Sequence, residues 1–326
     1  MATALNGKLV TVFGGSGFLG RHIIRALALR GYRVRAAVRR PENAEHLQPL
    51  GVVGQIMSVQ ANIRNRESVE NAMRGSDAVI NLVGILHESG KQTFEAIQAS
   101  GAKNIADACA ALDMNRVIHV SAIGADANSK SAYARSKAAG ENAFRAAVPD
   151  TIIFRPSVVF GPEDDFFNRF GAMSRIAPAL PLVGGGKTKF QPVFVGDVAE
   201  AIAKAVEGEV ARGTTYELGG PEVASFRECL ELMLKIIRRR RMLASLSFGL
   251  ARFKARVLQI LPNPPLTVDQ VELLRTDNVV SAQAIAEGRT LEGLGINAHS
   301  MEAILPSYME QYMPHGQYDA RRPVQN

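Results

Sequence analysis

Tryptophan is absent from this 326-residue sequence, and aromatic residues make up only 6% of it. Proteins that bind single-stranded nucleic acid stack the bases on aromatic side chains, so this composition argues against such a role. The formal net charge is nevertheless +7, which favours an acidic partner. We therefore expect no nucleic-acid partner, and we look for a nucleotide, an anionic membrane surface or an acidic protein face.

Cysteine is almost as scarce, since the chain carries only Cys109 and Cys229. Both lie in apolar sequence of helical character, where a reduced, partly buried thiol is the ordinary state. No cysteine and histidine spacing is typical of a metal site. The sequence therefore predicts no disulfide framework and no metal.

Long apolar runs are missing as well. A membrane-spanning helix needs a run of about 18 apolar residues, and the sequence contains none. The first strand pattern begins near Lys8, which leaves little room after Met1 for a signal or transit peptide. We therefore expect the protein to stay in the cytoplasm or an equivalent compartment, as one large domain or two smaller ones.

The most informative stretch lies near the N-terminus. A short apolar run, Leu9 to Phe13, is followed by Gly14-Gly15-Ser16-Gly17-Phe18-Leu19-Gly20 and then by a helical pattern. In such a strand-turn-helix unit the glycines make the turn, let a pyrophosphate approach the backbone, and let the helix pack closely. Free N–H groups at the helix start face the phosphates. We therefore predict that residues 14–20 bind a dinucleotide.

The end of the second predicted strand bears on the choice of cofactor. Proteins that bind NAD usually carry an acidic residue there, which contacts the ribose 2′-hydroxyl. This chain has Arg39 and Arg40 instead, and a guanidinium group matches a phosphate. The pattern favours NADPH over NADH, whereas the simpler alternative is a solvated arginine pair at a helix start.

Strand and helix patterns alternate through the first half of the chain. Strands are predicted at 9–13, 32–38, 52–59, 77–84, 116–121 and 151–162, and helices at 18–30, 67–74, 91–112 and 133–148. This alternation predicts an α/β fold with a doubly wound parallel Rossmann sheet. Gly84 ends the fourth strand, where a residue without a side chain lets the backbone pass the cofactor.

Ser121, Tyr133 and Lys137 form the candidate catalytic constellation. Ser121 ends the fifth strand, and Tyr133 and Lys137 are four residues apart on one predicted helix face. A nearby ammonium group favours the phenolate, so the tyrosine can act as general acid or base. We predict that Lys137 also holds the nicotinamide ribose and that Ser121 orients a substrate oxygen.

The composition changes after residue 160, where phenylalanine-, proline- and glycine-rich segments begin. We predict an NADP(H)-binding domain at 1–160, with 190–207 returning to it, and a smaller C-terminal substrate or docking domain at 161–326. Asp197 is predicted to cap a helix, and Ser225 with Glu228 to form a capping box.

A basic segment follows in the second half. Residues 231–260 contain eight Lys and Arg side chains and one acid, with Arg238–Arg241 consecutive and a second group at Arg252–Arg256. The alternatives are a solvated helix face, contact with an anionic membrane surface, or contact with an acidic protein subunit.

The glycine turn, the Tyr-x-x-x-Lys pair and Ser121 resemble those of the extended short-chain dehydrogenase/reductase superfamily. The resemblance implies cofactor contacts from Asn62 and Ile63 at the adenine, from Val83 and Gly84, and from Pro156 and Val159 near the nicotinamide. It also implies that Lys137 contacts the ribose and that Ser121 and Tyr133 contact the cofactor. Asn62 departs from the acidic residue usual at this position.

Nearly the whole chain resembles one atypical branch, the bacterial form of the NADPH-binding accessory subunits of respiratory complex I (NADH:ubiquinone oxidoreductase). The more specific stretches are Phe160-Gly-Pro-Glu-Asp-Asp-Phe-Phe-Asn-Arg-Phe170 and Pro264-Pro-Leu-Thr267. The resemblance implies tightly held NADPH and other complex I subunits as partners. It also implies a peripheral location near the quinone site, on the cytoplasmic side of the inner (plasma) membrane, or the matrix side in a mitochondrion.

Two functions therefore remain open from the sequence. One is an accessory subunit in which NADPH is structural and the Ser-Tyr-Lys triad is vestigial. The other is a soluble NADP-dependent reductase, epimerase or dehydratase that uses Ser121, Tyr133 and Lys137. A redox-sensing regulator of the same fold is a third possibility, which the basic segment disfavours.

Overall fold

The computed structural model describes residues 5–259, 261 and 264–314. These residues form two compact units, each built from separated stretches of chain. Unit 1 comprises Met1–Pro156, Val195–Leu218 and Val280–Asn297, and unit 2 comprises Ser157–Phe194, Gly219–Val279 and Ala298–Asn326. Residues 315–326 of the predicted smaller domain lie outside the described residues.

Thirteen strands and twelve α-helices occur in the described part of the chain. The strands are β1 Leu9–Phe13, β2 Arg33–Val38, β3 Ile56–Gln60, β4 Ala78–Asn81, β5 Val117–Val120, β6 Ile152–Pro156, β7 Val159–Phe160, β8 Ala179–Val183, β9 Lys189–Phe190, β10 Val193–Phe194, β11 Thr215–Leu218, β12 Ala224–Ser225 and β13 Met242–Leu246. The helices are α1 Phe18–Leu29, α2 Arg66–Met73, α3 Ser100–Ala111, α4 Ala132–Ala147, α5 Phe167–Ile176, α6 Val195–Glu207, α7 Phe226–Ile236, α8 Phe248–Leu258, α9 Val268–Leu273, α10 Ala282–Ala286, α11 Met301–Ile304 and α12 Pro306–Met309.

Unit 1 contains a seven-stranded sheet with the order β11-β6-β5-β4-β1-β2-β3, and every pairing in it is parallel. Helix α1 packs on α6, and α3 packs on α2 and α4. Apart from the half-buried Leu9, every residue of β1, β4 and β5 is buried, as expected for central strands that are covered on both faces. The predicted doubly wound Rossmann sheet is therefore confirmed.

The predicted strand at 52–59 is wrong at its start, because β3 begins only at Ile56. Residues 52–54 belong to a turn, and Val53 is fully exposed. The buried Gln55 side chain holds this turn by donating to the carbonyls of Ala28 and Tyr32 and by accepting from the Val52 N–H. Val52 and Val53 thus lie in a turn and not in a strand, because the Gln55 side chain fixes the backbone there.

The helix predicted at 91–112 is shorter and composite. A π-helical turn at Glu95–Ala99 precedes α3, and Gly101 packs against Ile63 at their junction. Asp197 was predicted as an N-cap, but it lies in the first turn of α6, since that helix begins at Val195. The capping box of Ser225 and Glu228 at α7 is confirmed.

Residues Val280–Asn297 belong to unit 1, although the predicted boundaries assign them to the C-terminal domain. They attach to β11, the edge strand of the sheet. The Glu217 N–H donates to the Arg289 carbonyl at 3.0 Å, and the Ser281 N–H donates to the Glu217 carboxylate at 2.7 Å.

The core of unit 2 is rich in phenylalanine. Phe166 lies within ring-contact distance of Phe167, Phe170, Phe190 and Phe226. Buried Asp164 precedes α5 and accepts hydrogen bonds from the Gly161 and Asn168 N–H groups and from the Tyr308 hydroxyl. The 160–170 motif therefore builds the core of unit 2.

Candidate functional site

The order of the sheet locates the candidate site in unit 1. Strand β1 lies between β2 and β4, so successive connections leave from it in opposite directions along the sheet. In open parallel sheets, ligands bind outside the carboxyl ends of the strands at such a switch point. The predicted residues at 14–20, 39–40, 83–84 and 121 follow the carboxyl ends of β1, β2, β4 and β5, and therefore share this edge.

The glycine turn has the backbone geometry that a nucleotide cradle needs. Gly14 has a φ of +81°, and a Cβ atom there would lie 3.2 Å from the Val83 nitrogen. A Cβ atom at Gly20 would lie 2.5 Å from the Gly15 carbonyl oxygen. Larger residues at either position would push the turn away from its neighbours, so the close approach depends on glycine.

The start of α1 is open to an anion. Gly17 is its N-cap and is exposed, no side chain caps the helix, and its first turn contains no acidic residue. The first backbone N–H groups of a helix have no partner within it and carry the positive end of the helix dipole. Gly15, Ser16, Phe18 and Leu19 complete the turn, so residues 14–20 fit a pyrophosphate group.

Arg39 and Arg40 both lie exposed after β2. Arg40 is the N-cap of the 3-10 helical segment Pro41–Leu50. Arg39 and Arg40 thus stand at the same sheet edge as the glycine turn, as the assignment to a 2′-phosphate requires.

Asn62 and Ile63 follow β3 and differ in character. Asn62 is exposed, and its side-chain oxygen accepts from the Arg64 N–H. The Ile63 side chain is buried in the core of unit 1, and its carbonyl accepts from the Asn104 side chain. A contact of either residue with an adenine stays a prediction.

Val83, Gly84 and Lys137 come together beyond β4. The Val83 N–H donates to the Asn81 side chain at 3.0 Å. A Cβ atom at Gly84 would lie 3.2 Å from the Lys137 Nζ, so a larger residue would crowd the ammonium group. Gly84 thus leaves room for the Lys137 ammonium group because it has no side chain. The sequence alone does not reveal this role of Gly84.

Tyr133 and Lys137 lie on the same face of α4, as their spacing predicts. The helix is capped by Ser131, whose hydroxyl accepts from the Ala134 N–H. Lys137 Nζ lies 6.0 Å from the centre of the Tyr133 ring and donates to the Val120 carbonyl at 3.2 Å. Burial lowers the pKa of Lys137 to about 8, while the Glu141 charge acts in the opposite direction.

Ser121 is buried beside Glu141, another residue of α4. Burial alone would raise the pKa of Glu141, but Arg155, Ser121 and the charge of Arg145 together lower it. Among the described residues the Ser121 hydroxyl has no hydrogen bond of ordinary geometry, although it lies close enough to affect this carboxylate. Ser121 is thus buried near a carboxylate, and its predicted catalytic role stays a prediction.

Glu141 is the residue that the sequence reasoning missed. Its carboxylate accepts from Arg155 Nε at 2.8 Å, from Arg155 Nη2 at 2.7 Å and from Arg145 at 2.9 Å. The spacing Tyr133-x-x-x-Lys137-x-x-x-Glu141 was the available signal, because it extends one helix face by another turn. Arg155 lies on β6, so its role depended on the sheet.

Pro156 and Val159 fall into different units. Pro156 ends β6 in unit 1, whereas Val159 begins β7 in unit 2. Their predicted contacts with a nicotinamide therefore stay predictions.

The described residues also bear on the predictions about metals and membranes. Within residues 5–259, 261 and 264–314, no cluster of three or more His, Cys, Asp or Glu side chains could hold a metal ion. No helix in the described chain is long and apolar enough to cross a membrane.

Comparison with known proteins agrees with this geometry. Residues 10–219 match the NAD dependent epimerase/dehydratase family. The chain is 34% identical to an Arabidopsis thaliana protein named NADH dehydrogenase [ubiquinone] 1 alpha subcomplex subunit 9, mitochondrial, covering 96% of this chain and 80% of that protein. It is 32% identical to the NADH-ubiquinone oxidoreductase 40 kDa subunit of Neurospora crassa, covering 97% and 83%.

Among solved structures, the fold is similar to that of DesIV, a dTDP-glucose 4,6-dehydratase of Streptomyces venezuelae. The TM-score is 0.71 at 20% identity, over 93% of this chain and 96% of that one. The resemblance to the extended short-chain dehydrogenases, predicted from the motifs, is confirmed. The chain belongs to the NAD dependent epimerase/dehydratase family.

Proposed function

We propose that this protein is an NADPH-binding accessory subunit of respiratory complex I. The observation that carries the cofactor assignment is the pair Arg39 and Arg40, exposed at the sheet edge that also carries the uncapped start of α1. The partner assignment is supported by the two relatives named above, which match almost the full length of the chain.

In this proposal residues 14–20 hold the pyrophosphate, Arg39 and Arg40 the 2′-phosphate, and Lys137 the nicotinamide ribose. The remaining proposed contacts are Asn62, Ile63, Val83, Gly84, Ser121, Tyr133, Pro156 and Val159. When bound, NADPH would supply a hydride donor. The chain itself supplies orientation and charge, since Lys137 is buried beside Gly84 and Glu141 favours its protonated form.

The proposed location is the cytoplasmic membrane surface, or the matrix side in a mitochondrion, where the subunit stabilises the peripheral arm near the quinone site. Helix α8 in unit 2 supports a surface contact. Leu250, Phe253 and Val257 are exposed at helical spacing, and Arg252 and Arg256 are exposed on the same helix. Exposed apolar residues flanked by cations are typical of helices that lie in an anionic membrane interface.

The cofactor assignment is tested by Arg39→Asp. We expect the variant to weaken NADPH binding by about 10- to 100-fold, the value of one charged hydrogen-bonding group, with much less change for NADH. The matched control is Arg33→Asp, which alters an exposed arginine at the other end of the same strand. Equal weakening of both nucleotides would contradict the 2′-phosphate assignment.

The partner assignment is tested by native mass spectrometry of gently purified membranes. We expect the chain to appear with bound NADPH in an assembly with other complex I subunits. Recovery only as a free oligomer would refute the accessory role.

A second function, an NADP-dependent reductase, epimerase or dehydratase, is favoured by one observation: Tyr133 and the buried Lys137 form the dyad that general acid-base chemistry on a carbonyl requires. Tyr133→Phe distinguishes the two. If the role is structural, bound nucleotide and complex stability should not change. Loss of a measurable reductase activity in Tyr133→Phe would support the second function.

A further inference from the structure

Unit 2 contains an open basin that the proposed function does not use. Its volume is about 610 Å³, and its walls come from α7, from the turn after it and from the start of β13. The apolar part of the lining is Pro178, Leu234, Met242 and Leu243. The charged part consists of Arg227, Lys235, Arg239, Arg240, Arg241 and one acid, Glu231.

The positive charge of this basin is largely uncompensated. Glu231 pairs with Arg227 at 3.5 Å. Among residues 5–259, 261 and 264–314, no carboxylate forms an ion pair with Lys235, Arg239 or the two arginines that follow. Burial and the charges of Arg241 and Arg175 lower the pKa of Arg239, as expected where cations crowd without an anion.

Two of the arginines are held in place by the fold. Arg239 Nε donates to the Tyr312 carbonyl, and Arg241 Nε donates to the Ser174 carbonyl at 2.7 Å. Arg239 Nη2 also donates to the Met313 carbonyl at 3.4 Å, and Arg241 Nη1 donates to the Arg240 carbonyl at 3.0 Å. Two backbone acceptors therefore fix the plane of each guanidinium group, and both residues line the basin. Fixed guanidinium groups lose little entropy on binding, which suits them to a ligand with several oxygen acceptors.

We propose that this basin binds a phosphate group. The rigid Arg239 and Arg241 would contact the phosphate oxygens, and the exposed Lys235 and Arg240 would supply further charge at the rim. The adjoining apolar lining fits a phosphate that carries a carbon chain, so a phospholipid headgroup and a free phosphate compound are the two sources. This inference is independent of the NADPH site, which lies in unit 1.

The test uses the full chain and two soluble or vesicle probes. Calorimetry measures the binding of inorganic pyrophosphate, and co-sedimentation measures binding to phosphatidylcholine vesicles with and without phosphatidylglycerol. The test variant is Lys235→Gln with Arg240→Gln, since neither side chain anchors the backbone. The matched control is Lys8→Gln with Arg25→Gln, which removes the same two charges from exposed positions of unit 1.

We expect the basin variant to lose about 30-fold in affinity, the combined value of two charges near a phosphate surface, and the control to lose little. If the basin variant loses affinity for pyrophosphate alone, the ligand is a free phosphate compound. If it loses affinity for phosphatidylglycerol vesicles alone, the ligand is a lipid headgroup. An equal loss of affinity in the basin variant and the control variant would overturn the proposal, and so would the failure of the protein to bind either probe. Unchanged NADPH affinity in both variants would show that unit 1 is intact.

Discussion

Glu141→Gln is the variant that most directly tests how unit 1 is organised around Lys137. The change removes the negative charge next to the buried lysine but keeps a side chain of nearly the same shape. In the part of the chain that the structure describes, Lys137 interacts with Tyr133 and Glu141 on its own helix and with His119 on β5. Burial and nearby positive charges hold the pKa of His119 well below its ordinary value, so that ring is neutral and Glu141 is the opposing charge.

The expected effect on nucleotide binding follows from the pKa of Lys137. Its value of about 8 means that wild-type affinity should fall as the pH rises through about 8, where the ammonium group is lost. Without the Glu141 charge the pKa falls further, so the midpoint should move to lower pH. Above the midpoint, affinity should be about 10- to 100-fold weaker, because a charged hydrogen bond contributes about 1.5–3 kcal/mol.

The stability of the free protein should also depend on pH through this lysine. Its pKa in the folded state, about 8, lies below its ordinary value of 10.5, so between these values the unfolded chain binds more protons. The free energy of unfolding should therefore rise with pH across that window, by about 3 kcal/mol from this group. Glu141→Gln should itself cost about 3 kcal/mol, because it leaves the partly buried Arg155 without its main partner.

The assay is NADPH fluorescence titration from pH 6 to about 9.5, alongside urea denaturation. Glu217→Gln is the control, since Glu217 also lies 3.8 Å from Arg155. We expect it to leave the pH midpoint of binding unchanged. An unchanged midpoint in Glu141→Gln, or equal shifts in both variants, would refute the reasoning.

Three other variants test separate parts of the structure. Gly20→Ala should cost about 1–3 kcal/mol in urea denaturation and weaken nucleotide binding, because its Cβ would lie 2.5 Å from the Gly15 carbonyl oxygen; unchanged affinity would contradict the close-packed turn. Ser121→Ala should weaken NADPH binding by about 2- to 10-fold, the value of one neutral hydrogen bond, and change stability by about 1 kcal/mol, whereas selective loss of an activity would support its catalytic role. Phe167→Ala should destabilise unit 2 by about 3–5 kcal/mol, and Phe253→Ala, at 67% exposure, by less than about 0.5 kcal/mol; equal effects would contradict the assigned core.

The local patterns of unit 1 could be predicted because each depends on neighbouring residues. Strand β1, the glycine turn and α1 follow from an apolar run, three glycines and helical periodicity, all within one short stretch. The capping box at Ser225 and the shared face of Tyr133 and Lys137 likewise depend on spacings of three and four residues. The boundary of β3 could not be predicted, because Gln55 reaches the carbonyls of Ala28 and Tyr32 far away in sequence.

Unit 2 was harder to predict because its contacts are distant in sequence. Strand β13 pairs in parallel with β8 over five residues, from Met242 with Ala179 to Leu246 with Val183. Parallel partners require a long connection, so no local signal marks them. The basin in unit 2 depends on this pairing, since its lining includes the start of β13 and Pro178, the residue before β8.

The sequence by itself determined the Rossmann class, the glycine turn, the arginine pair at the end of β2 and the Tyr133–Lys137 spacing. These follow from periodicity and from residue chemistry over a few neighbouring positions. Only the tertiary structure decided that Ser121 faces Glu141, that Arg155 neutralises that carboxylate, and that Arg239 and Arg241 are fixed around an open basin. Burial and ion pairing depend on which distant strands and helices meet, and the chain must fold before those environments exist.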